Sequence, residues 1–293
     1  MQWSVEKTST LLEQLQEKYP QSSTTKLRKM LTEARVEVNN EVVFKAKFEV
    51  KDGDTITVLS RPSANEQTPP PKKLQYQPSI SILFEDDTLL VVDKPHSLLS
   101  VATNKLETDT LHSRCVEYLQ KTSKKKWCHI VHRLDKDTSG VMVFAKDEET
   151  KNDLQEQFAR REVHRIYSAL VEGTPTKSTD TIHTHLIEDK HLNMRATNAS
   201  DSRGKEAITH YSVVQSDDEF ALVEVMIETG RRHQIRMAMQ YIGTPVCGDS
   251  KHGSTTNPFS RICLHATSLE FVHPDTDDPV RFESPYPAEW NLL

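Results

Sequence analysis

Glycine is scarce in this chain, which contains only 8 glycines among 293 residues. There is no GxGxxG motif, and neither GxxxxG spacing is followed by Lys-Ser or Lys-Thr. Dinucleotide-binding and P-loop sites need such glycines because the backbone must approach a phosphate closely. The sequence lacks the fingerprint of both site types, and we expect a reaction that uses no cofactor.

Cysteine and long apolar runs are scarce too. The four cysteines are widely spaced and form no CxxC pair, so we expect no bound metal and interpret them as reduced thiols of a cytoplasmic protein. No run approaches the roughly 18 apolar residues of a membrane span, and Glu6 and Lys7 interrupt the segment where a signal peptide would be apolar. We expect no membrane partner, and a monomer by default.

Positive charge is in deficit, with 37 Lys+Arg against 43 Asp+Glu and a net charge of −6. This balance argues at first against a nucleic-acid partner. However, 12 of the acids fall in four short clusters, which we interpret as turns between strands. The clusters are Glu85–Asp87, Asp147–Glu149, Asp217–Glu219 and Asp275–Asp278. Solvent can take up these charges while basic residues gather elsewhere, so the net charge does not exclude RNA.

A segment rich in proline and polar residues divides the chain. Residues 61–77 read RPSANEQTPPPKKLQYQ, which has no periodic apolar face and whose three consecutive prolines favour an extended spacer. We therefore predict a first domain over residues 1–60, a linker over 61–77 and a second domain over 78–293.

The first domain is predicted to contain two helices followed by strands. Leucines between positions 11 and 15 recur at helical spacing, and Ser22 and Ser23 offer an N-cap for the second helix. A hairpin turning at Asn39-Asn40 and a strand over Thr55–Leu59 follow. The second helix and its exit carry Lys26, Arg28, Lys29 and Arg35. Composition alone is equally consistent with RNA binding and with a solvated surface.

The second domain is predicted to be α+β, with a mainly antiparallel mixed sheet flanked by helices, because strands outnumber helices and several are joined by short turns. The predicted strands are Ile80–Phe84, Leu89–Val92, Val141–Ala145, Ile166–Val171, Ala207–Val214 and Ala221–Ile227. The predicted helices are Leu111–Leu119, Lys151–Arg160 and His233–Tyr241.

Charged residues crowd the turn between two strands in the segment CHIVHRLDKDTSGVMVFAKD. His132, Arg133 and Asp135 lie within four positions, which is consistent with a solvated loop or with a positioned active site. Arg133 beside Asp135 would keep the carboxylate ionised by charge pairing. An ionised aspartate can act as nucleophile, base or metal ligand.

A second basic cluster, ETGRRHQIRMAM, follows a strand and opens a helix with Gln234 and Ile235. Arg231, Arg232 and Arg236 place three guanidinium groups near the helix N-terminus, where positive charge opposes the helix dipole. Some anion should compensate them, such as a buried carboxylate or a phosphate backbone, and we favour a functional role over a merely basic surface.

One alternative is a haloacid-dehalogenase-type phosphatase, because Asp135, Asp137 and Thr138 follow the spacing DxDxT. Asp249 could then serve as the distal metal-binding acid. Against it, His132 and Arg133 stand where that fold needs a continuous apolar parallel strand.

The segment HRLDKDTSG with VMVFAK resembles the signature of the RluA-type pseudouridine synthases. The resemblance continues in order through ILFEDDTLLVVDKPHSLLS, HRIYSALVEG, TGRRHQIR, GTPVCGD and RICLHATSLEFVHP, over about 210 residues. The first domain similarly resembles the ribosomal protein S-four type of RNA-binding domain. The resemblance implies a pseudouridine synthase fold, with a small N-terminal α/β RNA-binding domain in front of the catalytic domain.

It also implies roles for individual residues. Asp135 would attack the target uridine, Tyr167 would stack on the flipped base, and Arg236 would pair with the aspartate while Ile235 lies beneath the base. Further expected substrate contacts are His132, Arg133, Arg231, Arg232 and Gln234. Expected RNA contacts of the first domain are Lys26, Arg28, Lys29 and Arg35. Arg232 stands where the family more often has Thr, Ser or Lys, and this departure bears on which RNA is the substrate.

The expected function is isomerisation of uridine to pseudouridine in RNA, with 23S ribosomal RNA as the favoured substrate. This chemistry needs no redox change or phosphate transfer, in keeping with the absence of cofactor motifs. Two alternatives stay open at this point: tRNA as the substrate, and a non-catalytic RNA-binding or ribosome-assembly factor on the same fold.

Overall fold

The structure is a computed structural model that describes residues 1–32, 34–59, 80–103, 107–189 and 194–291, without the side chains of Thr25, Lys29, Thr32 and Asn291. The chain divides into two compact units, Met1–Tyr76 and Gln77–Leu293. The predicted linker 61–77 lies outside the described residues, so the predicted domain boundaries stay a prediction.

The first unit combines two helices with two small antiparallel sheets. The helices are α1 (Leu11–Lys18) and α2 (Thr24–Thr32), and the strands are β1 (Gln2–Ser4), β2 (Ser9–Thr10), β3 (Val36–Val38), β4 (Glu41–Val42), β5 (Glu49–Val50) and β6 (Thr55–Val58). The sheets have the orders β1-β6-β3-β4 and β2-β5. Leu11, Leu15 and Leu27 are fully buried at its core.

The turn between β3 and β4 explains why two asparagines stand there. Asn39 and Asn40 have φ angles of 53° and 68°, in the left-handed region that asparagine tolerates better than most residues. The Asn39 side chain also accepts a hydrogen bond from the Thr55 amide and donates one to Asp54, each at 2.9 Å. The turn is thereby tied to the start of β6.

The second unit is built on one large sheet. Its strands are β7 (Ser81–Glu85), β8 (Leu89–Lys94), β9 (His129–Ile130), β10 (Ser139–Ala145), β11 (His164–Glu172), β12 (Thr179–Glu188), β13 (Met194–Thr197), β14 (Lys205–Ser216), β15 (Phe220–Ile227), β16 (Leu264–Val272) and β17 (Pro279–Glu283). Its helices are α3 (Leu111–Gln120), α4 (Glu148–Ala159) and α5 (Gln234–Tyr241). No helix within the described ranges is long and apolar enough to cross a bilayer.

The sheet runs in the order β13-β12-β14-β15-β11-β16-β10-β8-β7, with β17 beside β16 and β9 beside β10. Among the described strands, β10 and β16 form the one parallel pair, and the other pairs are antiparallel. This mixed, mainly antiparallel sheet with flanking helices confirms the predicted α+β class.

Helices cover both faces of the sheet around β8. Leu90 and Val92 pack with Leu111 of α3, whereas Leu89 and Val91 pack with Leu154 of α4. Successive residues of a strand point to opposite faces, so a strand covered on both sides is apolar at every position. This is why β8 and β10 read as continuous apolar runs in the sequence.

Strands with polar residues on an inward face escaped sequence prediction. In β12, Ile182, Thr184 and Leu186 are buried while Thr181 and His183 are exposed, so the alternation is present but masked by an inward threonine. Strand β16 was missed similarly, because His265 and Ser268 are buried among its apolar residues. Tertiary packing, and not local apolarity, assigns both strands to the sheet.

The close pairing of the parallel strands β10 and β16 requires a glycine at position 140. Its φ is 111°, and a Cβ there would lie 2.2 Å from the carbonyl oxygen of Ala266. Neighbouring Ser139 hydrogen-bonds through Oγ to Nδ1 of buried His265, 2.8 Å away. The two strands therefore meet more closely at this point than a side chain allows.

We expect Gly140→Ala to lower the free energy of unfolding by about 3 kcal/mol, because it adds a backbone clash to an unfavourable φ. Gly173→Ala is the matched control, since Gly173 also has a positive φ, 68°, but nothing lies within 4 Å of its added Cβ. The control should cost about 1 kcal/mol. Urea denaturation of both variants measures the difference, and equal losses would contradict the close approach.

Candidate active site

The loop between β9 and β10 places Asp135 in a cleft of about 750 Å³. Strand β11 and the start of α5 form other parts of its wall, where they contribute Tyr167, Ile235 and Arg236. These positions are far apart in sequence, and the sheet brings them together. The four residues that the family resemblance marks as central therefore line one cleft.

Two buried side chains hold the backbone on either side of Asp135. Ser100 Oγ donates a hydrogen bond to the Leu134 carbonyl at 2.6 Å and accepts one from the Leu134 amide at 3.1 Å. Lys94 Nζ donates to the Lys136 carbonyl at 2.9 Å. The residues before and after Asp135 are thus fixed to Ser100, in the segment after β8, and to Lys94, the last residue of β8.

Lys94 is fully buried, and its ammonium group also donates to the carbonyls of Pro95 and Leu98, at 3.0 and 2.6 Å. Three carbonyl acceptors match the three N–H groups of the protonated form. Burial lowers the pKa of Lys94 to about 7, while the nearby carboxylates of Asp137 and Asp135 raise it. The lysine therefore anchors the loop as a buried donor.

Arg236 connects Asp135 to a second carboxylate. Its Nη1 lies 3.7 Å from Asp135 Oδ2, and its Nε and Nη2 donate to the two oxygens of Asp249 at 2.5 and 2.8 Å. Arg236 is 5% exposed and Asp249 is 1% exposed. A bidentate pair of this kind fixes the plane of the guanidinium group, so Asp249 orients Arg236 towards Asp135.

The electrostatic environment of Asp135 is a balance of burial and positive charge. Burial raises the pKa of the Asp135 carboxyl above its ordinary value, while Arg236 and then Arg133 lower it. Its side chain keeps 22% of its surface exposed in the cleft. The carboxylate is thus desolvated enough to be reactive and still accessible to a ligand.

Histidines near Asp135 add no positive charge to the site. Burial lowers the pKa of both His132 and His233 to about 3. His132 accepts the Val143 amide at 3.2 Å and stacks on Phe158, which assigns it a place in the loop's packing. The positive charge around Asp135 therefore comes from arginine and lysine.

Tyr167 and Ile235 provide the apolar surface of the cleft. They are 8% and 4% exposed, and both belong to the main hydrophobic core. Burial raises the pKa of Tyr167, and the Asp135 carboxylate raises it further. A neutral aromatic ring and an aliphatic side chain thus give an apolar portion to a cleft that is otherwise lined largely by charged and polar groups.

Gln234 lines the cleft and is engaged in hydrogen bonds within the protein, while its predicted contact with substrate stays a prediction. Its Oε1 accepts from Thr229 Oγ1 and the Arg231 amide, and its Nε2 donates to the Ile208 carbonyl and Thr209 Oγ1. These four hydrogen bonds use all of its amide groups. Gln234 therefore secures the start of α5 against β14.

Three exposed arginines, Arg133, Arg231 and Arg232, line the cleft, and two of them contact other groups of the protein. Arg231 is exposed and donates to the Glu206 carbonyl at 3.0 Å, and Arg232 forms an ion pair with Glu188. Arg133 is exposed as well. The anions that compensate the arginine cluster are thus Asp135, Asp249 and Glu188.

The RNA contacts predicted for the first domain lie on and after helix α2. Lys26 and Arg28 are exposed on α2, whereas Arg35 is half-buried and donates to the Leu59 carbonyl at 3.0 Å. The side chain of Lys29 lies outside the described residues. RNA binding by this unit stays a prediction.

Sequence reasoning missed three residues of the site. Asp249 was considered only as a possible metal-binding acid, and His233 and His252 were not considered. His233 has a left-handed φ of 55°, lies 4.0 Å from Asp135 and hydrogen-bonds to buried His252 at 2.9 Å. The motif GTPVCGD was a signal for Asp249, but its partner is visible only in three dimensions.

The phosphatase alternative is wrong. The segment before Asp135 is the short strand β9, which pairs antiparallel with β10, and not the buried parallel strand that this fold requires. Both carboxylate oxygens of Asp249 accept hydrogen bonds from Arg236, so Asp249 does not act as a metal ligand beside Asp135 in this arrangement. Among the described residues, no cluster of three or more acidic, histidine or cysteine side chains could hold a metal ion.

The cleft thus combines the partly exposed Asp135 carboxylate with the buried Arg236–Asp249 pair, and comparison with known proteins gives the family of the chain. A sequence model described as RNA pseudouridylate synthase matches residues 88–241. The uncharacterized RNA pseudouridine synthase YlyB of Bacillus subtilis is 35% identical over 272 residues, which cover 91% of this chain and 87% of that protein. Ribosomal large subunit pseudouridine synthase D of Vibrio cholerae is 30% identical, over 91% of this chain and 84% of that one.

The fold is shared with solved structures as well. The structure of human RNA pseudouridylate synthase domain containing 4 aligns with a TM-score of 0.61 and 24% identity, over 72% of this chain and 90% of that one. The chain belongs to the RNA pseudouridine synthase family, and it is an isomerase enzyme. The resemblance of the second domain to pseudouridine synthases is confirmed.

We expect Asp249→Asn to lower kcat by at least about tenfold and stability by about 3 kcal/mol, because it removes the charge that holds buried Arg236. Pseudouridine formation and urea denaturation measure the two effects. Glu188→Gln is the control, because it removes the half-exposed ion-pair partner of Arg232 and should cost less than about 1 kcal/mol. Normal turnover of Asp249→Asn would contradict the orienting role of Asp249.

The pH dependence of kcat/KM should report the ionisation of Asp135. Because its pKa lies above the ordinary 3.8, activity should be lost with falling pH at a value higher than that. Arg133→Ala removes a charge that lowers this pKa, so the acid limb should move to higher pH, whereas Arg133→Lys should leave it nearly in place. An acid limb that stays fixed or moves to lower pH in Arg133→Ala would contradict this assignment.

Proposed function

We propose that this enzyme isomerises uridine to pseudouridine in large-subunit ribosomal RNA, with Asp135 as the nucleophile. The observation that supports it most is the buried Asp135 carboxylate, which faces Arg236 in the cleft that Tyr167 and Ile235 line. The ribosomal substrate is supported by relatives such as the Vibrio cholerae synthase, whose name gives the large ribosomal subunit as its target.

The reaction exchanges one bond at C1′ for another. A carboxylate oxygen of Asp135 attacks C1′, the N1–C1′ bond breaks, and its electron pair passes to the uracil. The detached base turns, C5 bonds to C1′, and the bond to the Asp135 oxygen breaks with its electrons returning to the carboxylate. C5 loses a proton and N1 ends protonated, so the reaction is balanced without a redox partner.

Each residue of the cleft has a task in this sequence. Arg236 keeps Asp135 ionised and oriented before the attack, and the clamps on Leu134 and Lys136 hold the loop still. Tyr167 and Ile235 retain the detached base and keep water away from C1′. The nucleotide must leave its stack to reach the cleft, at a cost of a few kcal/mol that RNA contacts must offset.

Asp135→Asn should fold normally and bind RNA, yet form no pseudouridine, because the neutral amide cannot attack C1′. Carbodiimide-based mapping of unmodified large-subunit ribosomal RNA, before and after incubation with the enzyme, measures the product and its position. Asp137→Asn, which makes the same change two residues further along the loop, should retain activity. Full activity of Asp135→Asn would refute the mechanism.

The same mapping decides between substrates. New pseudouridine in ribosomal RNA supports the proposal, whereas modification confined to tRNA overturns the choice of substrate and leaves the chemistry intact. Binding without any new pseudouridine in either RNA would instead favour a non-catalytic role.

A further inference from the structure

The loop between α3 and β9 displays an exposed aromatic residue beside a run of lysines. We call this the lysine–tryptophan loop; its members are Lys121, Lys124, Lys125, Lys126 and Trp127. All five residues are exposed, and Trp127 keeps 48% of its surface accessible. An exposed tryptophan next to several positive charges combines a stacking surface with phosphate-binding groups.

The lysines of this loop are exposed to solvent, and their charge is not taken up by a nearby ion pair within the part of the chain that the structure describes. Among the residues that the structure describes, no carboxylate forms an ion pair with any of the four. Glu85 is near Lys126, but its oxygens are occupied by Lys146 Nζ and the Tyr118 hydroxyl, each at 2.7 Å. The positive charge is therefore available to an external anion.

Trp127 is held in place although it is exposed. Its ring packs edge-on against His112 with centroids 5.6 Å apart, and His112 Nε2 hydrogen-bonds to the carbonyl of buried Cys128 at 2.9 Å. The Lys126 amide also donates to the Ser123 carbonyl at 2.9 Å. A fixed ring loses little conformational entropy when a flat ligand stacks on it.

The lysine–tryptophan loop and the loop that carries Asp135 adjoin opposite ends of β10. Strand β9 pairs with β10 at His129 and Ala145, whereas the loop that carries Asp135 joins β10 at Ser139. Six residues of strand separate these points, which is about 20 Å. An RNA segment that contacts both ends of β10 therefore has to extend over several nucleotides.

We propose that the lysine–tryptophan loop binds an unpaired segment of the substrate RNA flanking the target uridine, with a base stacked on Trp127 and phosphates on the lysines. The proposal rests on the proposed function for the identity of the substrate. An unpaired segment is favoured over a duplex, because in a duplex the base faces are already stacked and unavailable to an aromatic side chain. Binding here also contributes to the cost of extruding the uridine from its stack.

Binding of a fluorescein-labelled uridine 12-mer to the full chain tests the stacking. Trp127→Ala should weaken binding about tenfold, and Trp127→Phe about threefold or less, because phenylalanine keeps an aromatic face. Tyr241→Ala, which removes another exposed aromatic residue, should bind like the unaltered protein. Equal affinity of Trp127→Ala and the unaltered protein, or an equal loss in both Trp127 variants, would overturn the stacking.

The salt dependence of the same binding tests the lysines. Replacing Lys124, Lys125 and Lys126 by serine should make the slope of log K against log salt shallower by about 2, since each phosphate contact to a single strand contributes about 0.7. Lys177→Ser, at an exposed lysine that pairs with Asp180, should leave the slope unchanged. An unchanged slope in the triple variant would overturn the phosphate contacts.

Kinetics on large-subunit ribosomal RNA transcribed in vitro separate this proposal from the proposed function. Trp127→Ala should raise KM several-fold while kcat stays near that of the unaltered enzyme, because Trp127 is not among the residues that line the cleft. An active unaltered enzyme with unchanged KM in Trp127→Ala would refute the loop's role alone. If the unaltered enzyme forms no pseudouridine, the proposed function fails, and the 12-mer titrations still decide whether the loop binds RNA.

Discussion

A buried row of charges, Asp135–Arg236–Asp249, is the constraint on which the site depends. A carboxylate removed from water needs a nearby positive charge, and burial of Arg236 creates the same need in turn. Asp249 meets it with two hydrogen bonds and leaves one edge of the guanidinium group directed at Asp135. Loss of the Asp249 charge would leave buried Arg236 with only the longer contact to Asp135, so the orientation of Arg236 and local stability are coupled at Asp249.

The scaffold holds these charges in position by fixing three backbone segments: the Asp135 loop, the start of β10 and the start of α5. Ser100 and Lys94 hold the carbonyls on either side of Asp135, and Gly140 allows β10 to approach β16 immediately after the loop. Gln234 holds the helix that carries Arg236 and Ile235. Because the hydrogen bonds tie loop and helix to strands of the same sheet, the distance between Asp135 and Arg236 is set by the sheet and not by flexible segments.

What the sequence could predict follows from how local each signal is. Strands β8 and β10 were predictable because burial on both faces makes every position apolar, and Asp135 was singled out by the charges crowded around it. The interpretation of Asp249 as a possible metal-binding acid was wrong, because its role is to pair with Arg236, thirteen residues away, and only the fold brings the two side chains together. The four internal hydrogen bonds of Gln234 were not predictable, because their partners lie on β14 and in the turn before α5, which only the fold brings to this side chain.

The acidic clusters show why net charge is a poor guide to the partner of this protein. Asp86 and Asp217 accept hydrogen bonds from backbone amides in the turns before β8 and β15, and Asp275–Asp278 lies between β16 and β17. Asp147 differs from the predicted turn role, since it caps α4 through the Thr150 amide at 2.8 Å. These acids satisfy local backbone donors, so much of the negative charge reflects where strands turn and a helix begins. The exposed lysines of the lysine–tryptophan loop and the arginines at the cleft are the positive charges that we propose for contact with RNA.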